Sequence, residues 1–463
     1  MNRTEPASPD LIDAIRTIVG ERGMLLGEDA RARSCDPFRS VPVLGPAIVR
    51  PADTDEVARV LALCHARGQR VVTHGGRTGV AGGAIARADE LVISLERMNA
   101  ILDIDPIAMT ATVEAGATLE AVQQAAEGQD LLYPIDLGAK GTATIGGTIA
   151  TNAGGNRVIR WGMTRQNVLG LEAVLADGTI VSAMNRFLKN NTGYDIKQAF
   201  IGSEGTLGIV TKAVLRLTAM PCTQNVAFVS LPDYASVLGL LSRARRLPQL
   251  SAFEVMWQDY YHLVASHDPA RRPVEPDQPF YAIVEAMGFD DDVDEAAFAE
   301  FLEKAFSEGL IADAVTARSQ KQVKDLWQVR ESSEILVREM GPFVPFDVSI
   351  DIARADAFAQ ATRTALSERF GDFRMVTLGH LGDSNIHVGV HIGPETAMRE
   401  IEVEECVYGV VHAFEGALTA EHGIGQAKRA FLPRHVAPGA LDMMHRLRDA
   451  MDEKHLLNRD VLF

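Results

Sequence analysis

The sequence predicts an α+β protein built from more than one domain. Three observations predict it. The chain has 463 residues, enough for two or three domains and a large core. Short β-branched runs alternate with helical patterns along its length. A shift in composition after Pro221 separates a half rich in glycine and threonine from a half rich in long helices.

The elements follow in chain order. Residues 9–22 read as an amphipathic helix. The stretch "GPAIVRPADTDEVARVLALCHARGQRVVTHGG" reads as strand, helix, strand and glycine loop. Asp53 or Thr54 caps that helix, and Val57, Val60, Leu61 and Cys64 form its buried stripe. "ADELVISLERM" and "MTATVEAGATLEAVQQAAEG" continue the alternation, and residues 134–215 carry short apolar runs such as "NVLGLEAVLADGTIV". Beyond Pro221, "YASVLGLLSRARRL", "VDEAAFAEFLEKAFSEG" and "KQVKDLWQVRESSEILVREM" read as three long helices. They alternate with the strands "NVAFVSL", "FYAIVEAM" and "DVSIDI", and strands with helices on one face make an α+β second domain. A last helix, "GALDMMHRLRDAMDEKH", precedes the polar tail "LLNRDVLF".

Composition narrows the function. A net charge of −17 argues against nucleic acid, whose phosphates demand a basic surface. Such acidity keeps a protein soluble and would not repel a basic electron-carrier protein. Cys35, Cys64, Cys222 and Cys406 form no C-x-x-C pair, so neither an iron–sulfur cluster, a zinc ribbon nor a disulfide framework is indicated. They fit a reducing compartment, and a cytoplasmic location is expected. The N-terminal stretch lacks an apolar signal core, and Glu5 and Asp10 argue against a transit peptide. No window approaches the roughly 18 apolar residues of a membrane span.

The glycine loops carry the first chemistry. "VVTHGGRTGVAGGA" (71–84) follows a β-branched run, and its glycines let the backbone turn sharply and approach a ligand closely. Inward N–H groups there would suit a pyrophosphate. Neither a G-x-G-x-x-G fingerprint nor a P-loop is present. A single such loop is most simply a turn. Two more, "DLGAKGTATIGGTIATNAGG" (136–155) and "NTGYDIKQAFIGSEGTLGIVT" (191–211), point to a long, extended cofactor pressed against the backbone.

The second chemistry lies in "GHLGDSNIHVGV" (379–390). Gly382, Asp383, Ser384 and Asn385 form a turn cluster, so the stretch reads as a hairpin that folds His380 toward His387. Two neighbouring imidazoles suit a divalent metal that takes a third ligand from elsewhere. The plainer alternative is a pair of hydrogen-bonded structural histidines.

Together, "THGGRTGVAGG", "PIDLGAKGTATIGGTIATNAGGNRVIRWGM", "VLGLEAVLADGT", "NTGYDIKQAFIGSEGTLGIVT", "GHLGDSNIHVGV" and "AEHGIG" resemble the flavoproteins of the vanillyl-alcohol oxidase/p-cresol methylhydroxylase (PCMH) fold. Within it the chain is similar to the D-lactate and D-2-hydroxyglutarate dehydrogenase group, from about Cys35 onward. "NVAFVSLPDYASVL", "SAFEVM" and "VKDLWQVRE" look most like D-2-hydroxyglutarate dehydrogenases. The resemblance implies an N-terminal helical segment (1–37), a two-subdomain PCMH-type FAD-binding domain (38–220), an α+β cap (221–425) and a C-terminal return to the flavin (426–463).

The resemblance also implies the site residues. His74, Gly75, Gly76, Arg77, Thr78 and Gly79 would cradle the FAD pyrophosphate. Pro134, Leu137, Ala143, Thr144, Gly146, Gly147, Asn152, Ala153 and Gly155 would line the isoalloxazine and ribityl chain. Gly202, Glu204, Gly208 and Ile209 would approach the adenine end, and Asn458 would return to the flavin. Relatives that tether the flavin use a loop histidine where Arg77 stands here, so the FAD is expected to be non-covalent. His380, His387 and Glu421 would hold a divalent metal, Zn²⁺ first and Mn²⁺ second, leaving positions open for substrate. His422 would take the hydroxyl proton as general base while a hydride leaves for flavin N5. Arg330 would grip the substrate carboxylate, against the alternative of a helical pair with Glu334. His391 and His412 match no ligand position and are expected to be structural.

Three positions depart from the hydroxyglutarate pattern. Glu334 replaces a threonine, Pro345 a lysine and Gly389 an asparagine. Proline offers no donor or charge, and Glu334 would repel a distal carboxylate. The acid is therefore expected to be lactate-like, or its far end to be bound by other residues such as Arg338. The expected activity is oxidation of a D-2-hydroxy acid to the 2-oxo acid, with electrons passing to a protein carrier or quinone. That acceptor could bring the protein to a membrane surface, and a homodimer is expected. The rivals are an oxygen-using oxidase of the same fold, a non-enzymatic flavin-binding protein and a zinc hydrolase.

Overall fold

The computed structural model describes residues 7–37, 40–268 and 271–463. Glu5 and the expected domain start at residue 38 lie outside the described residues. The chain divides into two units. The first comprises residues 1–155, 162–220 and 421–463, and the second residues 156–161 and 221–420. The first unit thus takes in the N-terminal helical segment and residues 421–425, and cedes residues 156–161.

In the first unit a four-stranded sheet runs in the order Met24–Leu26, Ala47–Val49, Glu90–Ser94, Arg70–His74. Its last three strands are parallel. Alternate residues feed opposite faces: Ala47, Val49, Val71, Leu91 and Ile93 enter the main core, while Ile48, Val72 and Val92 enter a smaller one. Burial on both faces explains why these strands are continuous apolar runs. The helix Thr54–Arg67 starts at Asp53, whose side chain accepts from the Glu56 N–H, and ends at Gly68 in the left-handed region. Its stripe of Val57, Val60, Leu61 and Cys64 is buried, and full burial stabilises by about 1.5–3 kcal/mol for each Val or Leu. The helix Pro9–Val19 packs Leu11, Ile15 and Val19 into the same core.

A second sheet, all antiparallel, orders Ile101–Asp105, Thr110–Glu114, Ile209–Arg216, Val168–Val174 and Ile180–Ala183. The tail around Leu456–Asn458 returns to the strand Arg70–His74: Val71 donates to the Leu456 carbonyl, and Asn458 donates to the Val71 carbonyl.

The second unit is one seven-stranded antiparallel sheet, ordered Asp313–Thr316, Thr223–Leu231, Phe280–Gly288, Leu250–Trp257, Arg374–Gly379, Asn385–His391 and Val344–Ser349. One face packs Phe228, Met256, Tyr281, Val376 and Leu378 against Tyr260, Val323, Trp327, Ile335 and Met340 from helices. Residues 156–161 join this unit because Arg157 bonds the buried Glu285 at 3.0 Å and Arg160 donates to the Gln249 carbonyl. The stretch read as one long helix from Lys321 to Met340 is two, Gln320–Arg330 and Ser333–Met340. Ser332 leaves helical geometry at ψ 41°. Its hydroxyl bonds back to the Gln328 carbonyl at 2.6 Å and accepts from Arg271, a local alternative to the helix ladder.

Candidate active site

The three glycine loops of the first unit converge on a cleft of ≈ 1100 Å³. Gly75, Gly76, Arg77, Thr78, Gly79, Leu137, Ala143, Thr144, Gly146, Gly147, Ala153, Glu204, Gly208, Ile209 and Asn458 line it. The close approach of two loops requires glycine at position 76, where a Cβ would lie 2.0 Å from the Thr142 carbonyl oxygen. At Gly79, by contrast, nothing lies within 4 Å of a built Cβ. Among the described residues of the lining, Arg77 is the permanent cation and Glu204 the carboxylate, and Leu95, Leu137, Phe200, Ile209 and Val210 form apolar walls. Flat apolar surface, glycine backbone and a single guanidinium fit the ring system and phosphates of FAD.

Glu204 does not face the cleft as a free acid. Its two oxygens accept from the N–H groups of Ile424 (2.8 Å) and Gly425 (2.7 Å). Burial lifts its carboxyl above the usual range despite those donors. Those donors follow Glu421 and His422 in the chain, and His422 is itself part of the lining. Asn458 closes another wall: its side chain accepts from the Thr73 N–H at 2.9 Å and donates to the Glu204 carbonyl at 2.7 Å.

Some expected residues are not brought to this lining. His74 is buried, and its Nε2 lies 2.8 Å from the Ala84 carbonyl. Strand alternation turns it away, leaving its neighbours Thr73 and Gly75 on the cleft. Burial pushes its pKa down to about 4, so it donates as a neutral imidazole. Pro134, Asn152, Gly155 and Gly202 also lie off the lining. The Asn152 side chain accepts from the Arg165 N–H, and the Gly155 N–H donates to Oε1 of Glu421 at 2.5 Å. Thr73, Ala84, Thr148, Phe200, Ser203 and Gly205 line the cleft without having been expected.

The second unit holds the histidine pair. The strands Arg374–Gly379 and Asn385–His391 form the hairpin, with Leu378 opposite His387. The rings of His380 and His387 are 5.1 Å apart at 82°. Glu254, in the apolar run "SAFEVM", is almost fully buried beneath them. One of its oxygens is 2.8 Å from Nδ1 of His380, and the other accepts from Nε of Arg330 at 2.8 Å. Burial alone would raise the Glu254 carboxyl, but His380 and Arg330 hold it below the usual carboxylate range. Glu254 therefore favours the proton on Nδ1 of His380, and Nε2 is then the nitrogen with a lone pair to offer. Nη2 of Arg330 lies 3.1 Å from that same Nε2. Arg330 does not pair with Glu334, which bonds Arg271 at 2.6 Å instead.

Asp347 faces His387 in register, its carboxylate 3.7 Å from Nδ1. The Asp347 carbonyl accepts from the N–H of Ala420, and Glu421 is the next residue of the chain. Two imidazoles, each with a carboxylate behind Nδ1, fit the donor chemistry of a divalent metal. Glu254 and Asp347 were the residues missed at sequence level. A carboxylate inside a strongly apolar strand, as in "SAFEVM" and "VPFDVSI", was the available signal. The Nδ1 atom of His391 is 2.7 Å from the Pro342 carbonyl. No described helix is long and apolar enough to cross a membrane.

Comparison with known proteins agrees with this architecture. Residues 220–462 match the family "FAD linked oxidases, C-terminal domain", and residues 46–184 match "FAD binding domain". A D-2-hydroxyglutarate dehydrogenase of Xanthomonas citri pv. viticola is 38% identical over 425 residues, covering 90% of this chain and 89% of its own. The mitochondrial D-2-hydroxyglutarate dehydrogenase of Bos taurus is 37% identical, covering 97% and 83%. That of Stutzerimonas stutzeri is 32% identical, covering 98% and 99%. Among solved structures, alkyldihydroxyacetonephosphate synthase aligns with a TM-score of 0.77 at 17% identity, covering 99% of this chain and 86% of that one. Substrate-bound p-cresol methylhydroxylase aligns at 0.74, also at 17%, covering 98% and 96%. The glycine-lined cleft and these likenesses agree: the chain belongs to the FAD-linked oxidases, in the group of the D-2-hydroxyglutarate dehydrogenases.

Proposed function

We propose that the protein is an FAD-dependent dehydrogenase of D-2-hydroxy acids. The observation that carries this reading is the Glu254 cluster, which sets a guanidinium suited to a carboxylate beside a pair of imidazoles suited to a metal. His380, His387 and Glu421 would hold a divalent cation, with Zn²⁺ favoured over Mn²⁺. Its chemistry is to acidify the hydroxyl, as protein-held zinc lowers the pKa of water from 15.7 to about 7. FAD, bound without a covalent tether, supplies the acceptor for the C2 hydride and its two electrons.

The chain's own residues do the rest. Arg330 takes the substrate carboxylate and thereby orients C2. His422, on the cleft lining, removes the hydroxyl proton, so that loss of one proton and one hydride gives the 2-oxo acid. Electrons then pass to a protein carrier or quinone, and the enzyme works as a homodimer in the cytoplasm, at a membrane surface where its acceptor requires it. The test is anaerobic reduction of the bound flavin by paired D- and L-2-hydroxy acids, followed by turnover with a dye acceptor. Reduction by D-acids supports the reading, and reduction confined to L-acids overturns it.

A further inference from the structure

Two neighbouring charges, Arg459 and Asp460, sit inside the tail 456–463, whose other members are mostly apolar. The tail lies beside the edge strand Arg70–His74, with Leu457 paired to Val71 in parallel. Its backbone is not relaxed there. Asn458 and Leu462 adopt left-handed conformations, at φ 40° and 71°, which such residues keep only where contacts enforce them. Some of those contacts end on neutral acceptors. Arg448 is buried and donates to the carbonyls of Leu457 at 3.0 Å and Val461 at 3.2 Å. The others are ionic. Asp460 accepts from Nη1 of Arg429 at 2.8 Å and lies 2.7 Å from Nη2 of Arg87. Arg459 reaches Asp89 at 3.3 Å and the buried Glu90 at 3.6 Å, and Arg70 meets Asp89 at 2.9 Å.

The residue directly before these two charges is Asn458, which stands on the cleft lining. Its carboxamide keeps its bonds to the Thr73 N–H and the Glu204 carbonyl while the following residues are held. Asp460 is largely buried, but Arg87 and Arg429 are about half exposed, so dissolved ions reach the cluster from their side. Added salt weakens such pairs.

We propose that the tail is an ionic strap on the wall of the FAD cleft. The pairs of Asp460 and Arg459 are positioning contacts that keep Asn458 in that wall, and screening them lets the flavin exchange. The inference rests on FAD occupying the glycine-lined cleft.

The experiment follows release of FAD from the holoenzyme after dilution, read as the rise of free-flavin fluorescence, at about 0.02 M and about 1 M NaCl. The parent is compared with Asp460→Asn and Arg459→Gln. Arg77 lines the cleft in all three, so its own salt dependence is common to them. At low salt both variants are expected to release FAD about 5–10-fold faster than the parent, and at high salt the three rates should agree within about twofold. An excess equal at both salts marks a merely structural defect and overturns the proposal, as does no excess at all. Should either variant fail to fold, Arg87→Gln removes one pair from the solvent side and is expected to release about twofold faster at low salt alone. Equal rates for it and the parent then overturn the strap. Hydrogen exchange of the holoenzyme is the second readout. The amides of Val71, Thr73 and Asn458 bond across the seam between strand and tail, and high salt should speed their exchange relative to the helix Thr54–Arg67. Exchange there that ignores salt overturns the proposal and leaves FAD binding intact. A parent that takes up no FAD at either salt overturns the cofactor reading and the strap with it.

Discussion

Nη2 of Arg330 and Nε2 of His380 are 3.1 Å apart, and both residues hang from the one carboxylate of Glu254. A lone pair on Nε2 serves either the guanidinium or a metal ion. A metal bound there, as proposed, would therefore turn this guanidinium nitrogen from Nε2 toward the substrate. Arg330→Met should raise KM for the acid by about 10–100-fold, the equivalent of a charged hydrogen bond of about 1.5–3 kcal/mol. Metal affinity, titrated on the apoprotein with a chromophoric chelator, should be kept or tightened. A variant with weakened metal affinity and unaltered KM would reverse the assignment.

Removal of the metal offers a separate check. Dialysis against a chelator should abolish turnover while the flavin absorbance persists, and Zn²⁺ or Mn²⁺ should restore it. His387→Ala should need far more metal for the same recovery. If chelated enzyme turned over at the native rate, the acidification step would have to be discarded.

His422 provides the kinetic test of proton removal. His422→Asn should lower the rate of flavin reduction by about 10²–10⁴-fold, the usual range for a positioned base. Flavin content should match that of the parent. Stopped-flow mixing with substrate measures the first quantity and the visible spectrum the second.

The loop that carries His422 is held by Glu204, whose oxygens take two consecutive N–H groups. Glu204→Ala strands both donors, at about 1–3 kcal/mol each. The expected outcome is a lower melting temperature together with at least a tenfold slower flavin reduction. Glu204→Gln keeps one acceptor oxygen and should recover part of both. Equal rates in all three proteins would show that the loop holds its shape without this contact.

His74 gives the fold a dependence on acidity. Its folded pKa of about 4 lies below the ordinary 6.5 because burial disfavours the charged ring. The unfolded chain therefore binds the extra proton first. The contribution to stability is complete above pH 6.5 and is lost as the pH falls toward 4, by about 3 kcal/mol in total. His74→Gln retains a donor toward the Ala84 carbonyl and removes the titration. Urea unfolding at pH 7 and pH 5 should show a smaller drop for the variant than for the parent.

Periodicity located the helix Thr54–Arg67 and narrowed its cap to Asp53 or Thr54, of which the structure uses Asp53, because those signals lie within a few residues of one another. The turn at Gly382–Asn385 likewise made the histidine hairpin readable. The missed features depend on distant partners. Glu254 meets His380 across 126 positions and Arg330 across 76, and only those partners explain why the buried strand tolerates a carboxylate. The helix break at Ser332 depends on Arg271, 61 positions away. His74 looked like a phosphate donor because it borders a glycine loop, yet strand alternation decides which neighbour faces the cleft.

Asn458 joins the cleft by bonding Thr73 across 385 positions. During synthesis, then, the glycine loops near residue 75 emerge long before the amide that braces them. At about 5–20 residues per second, the nascent protein spends tens of seconds with that brace missing. Tight retention of the yellow dye should begin only after the ribosome has passed this asparagine, which makes cofactor loading a late event in the life of each new molecule.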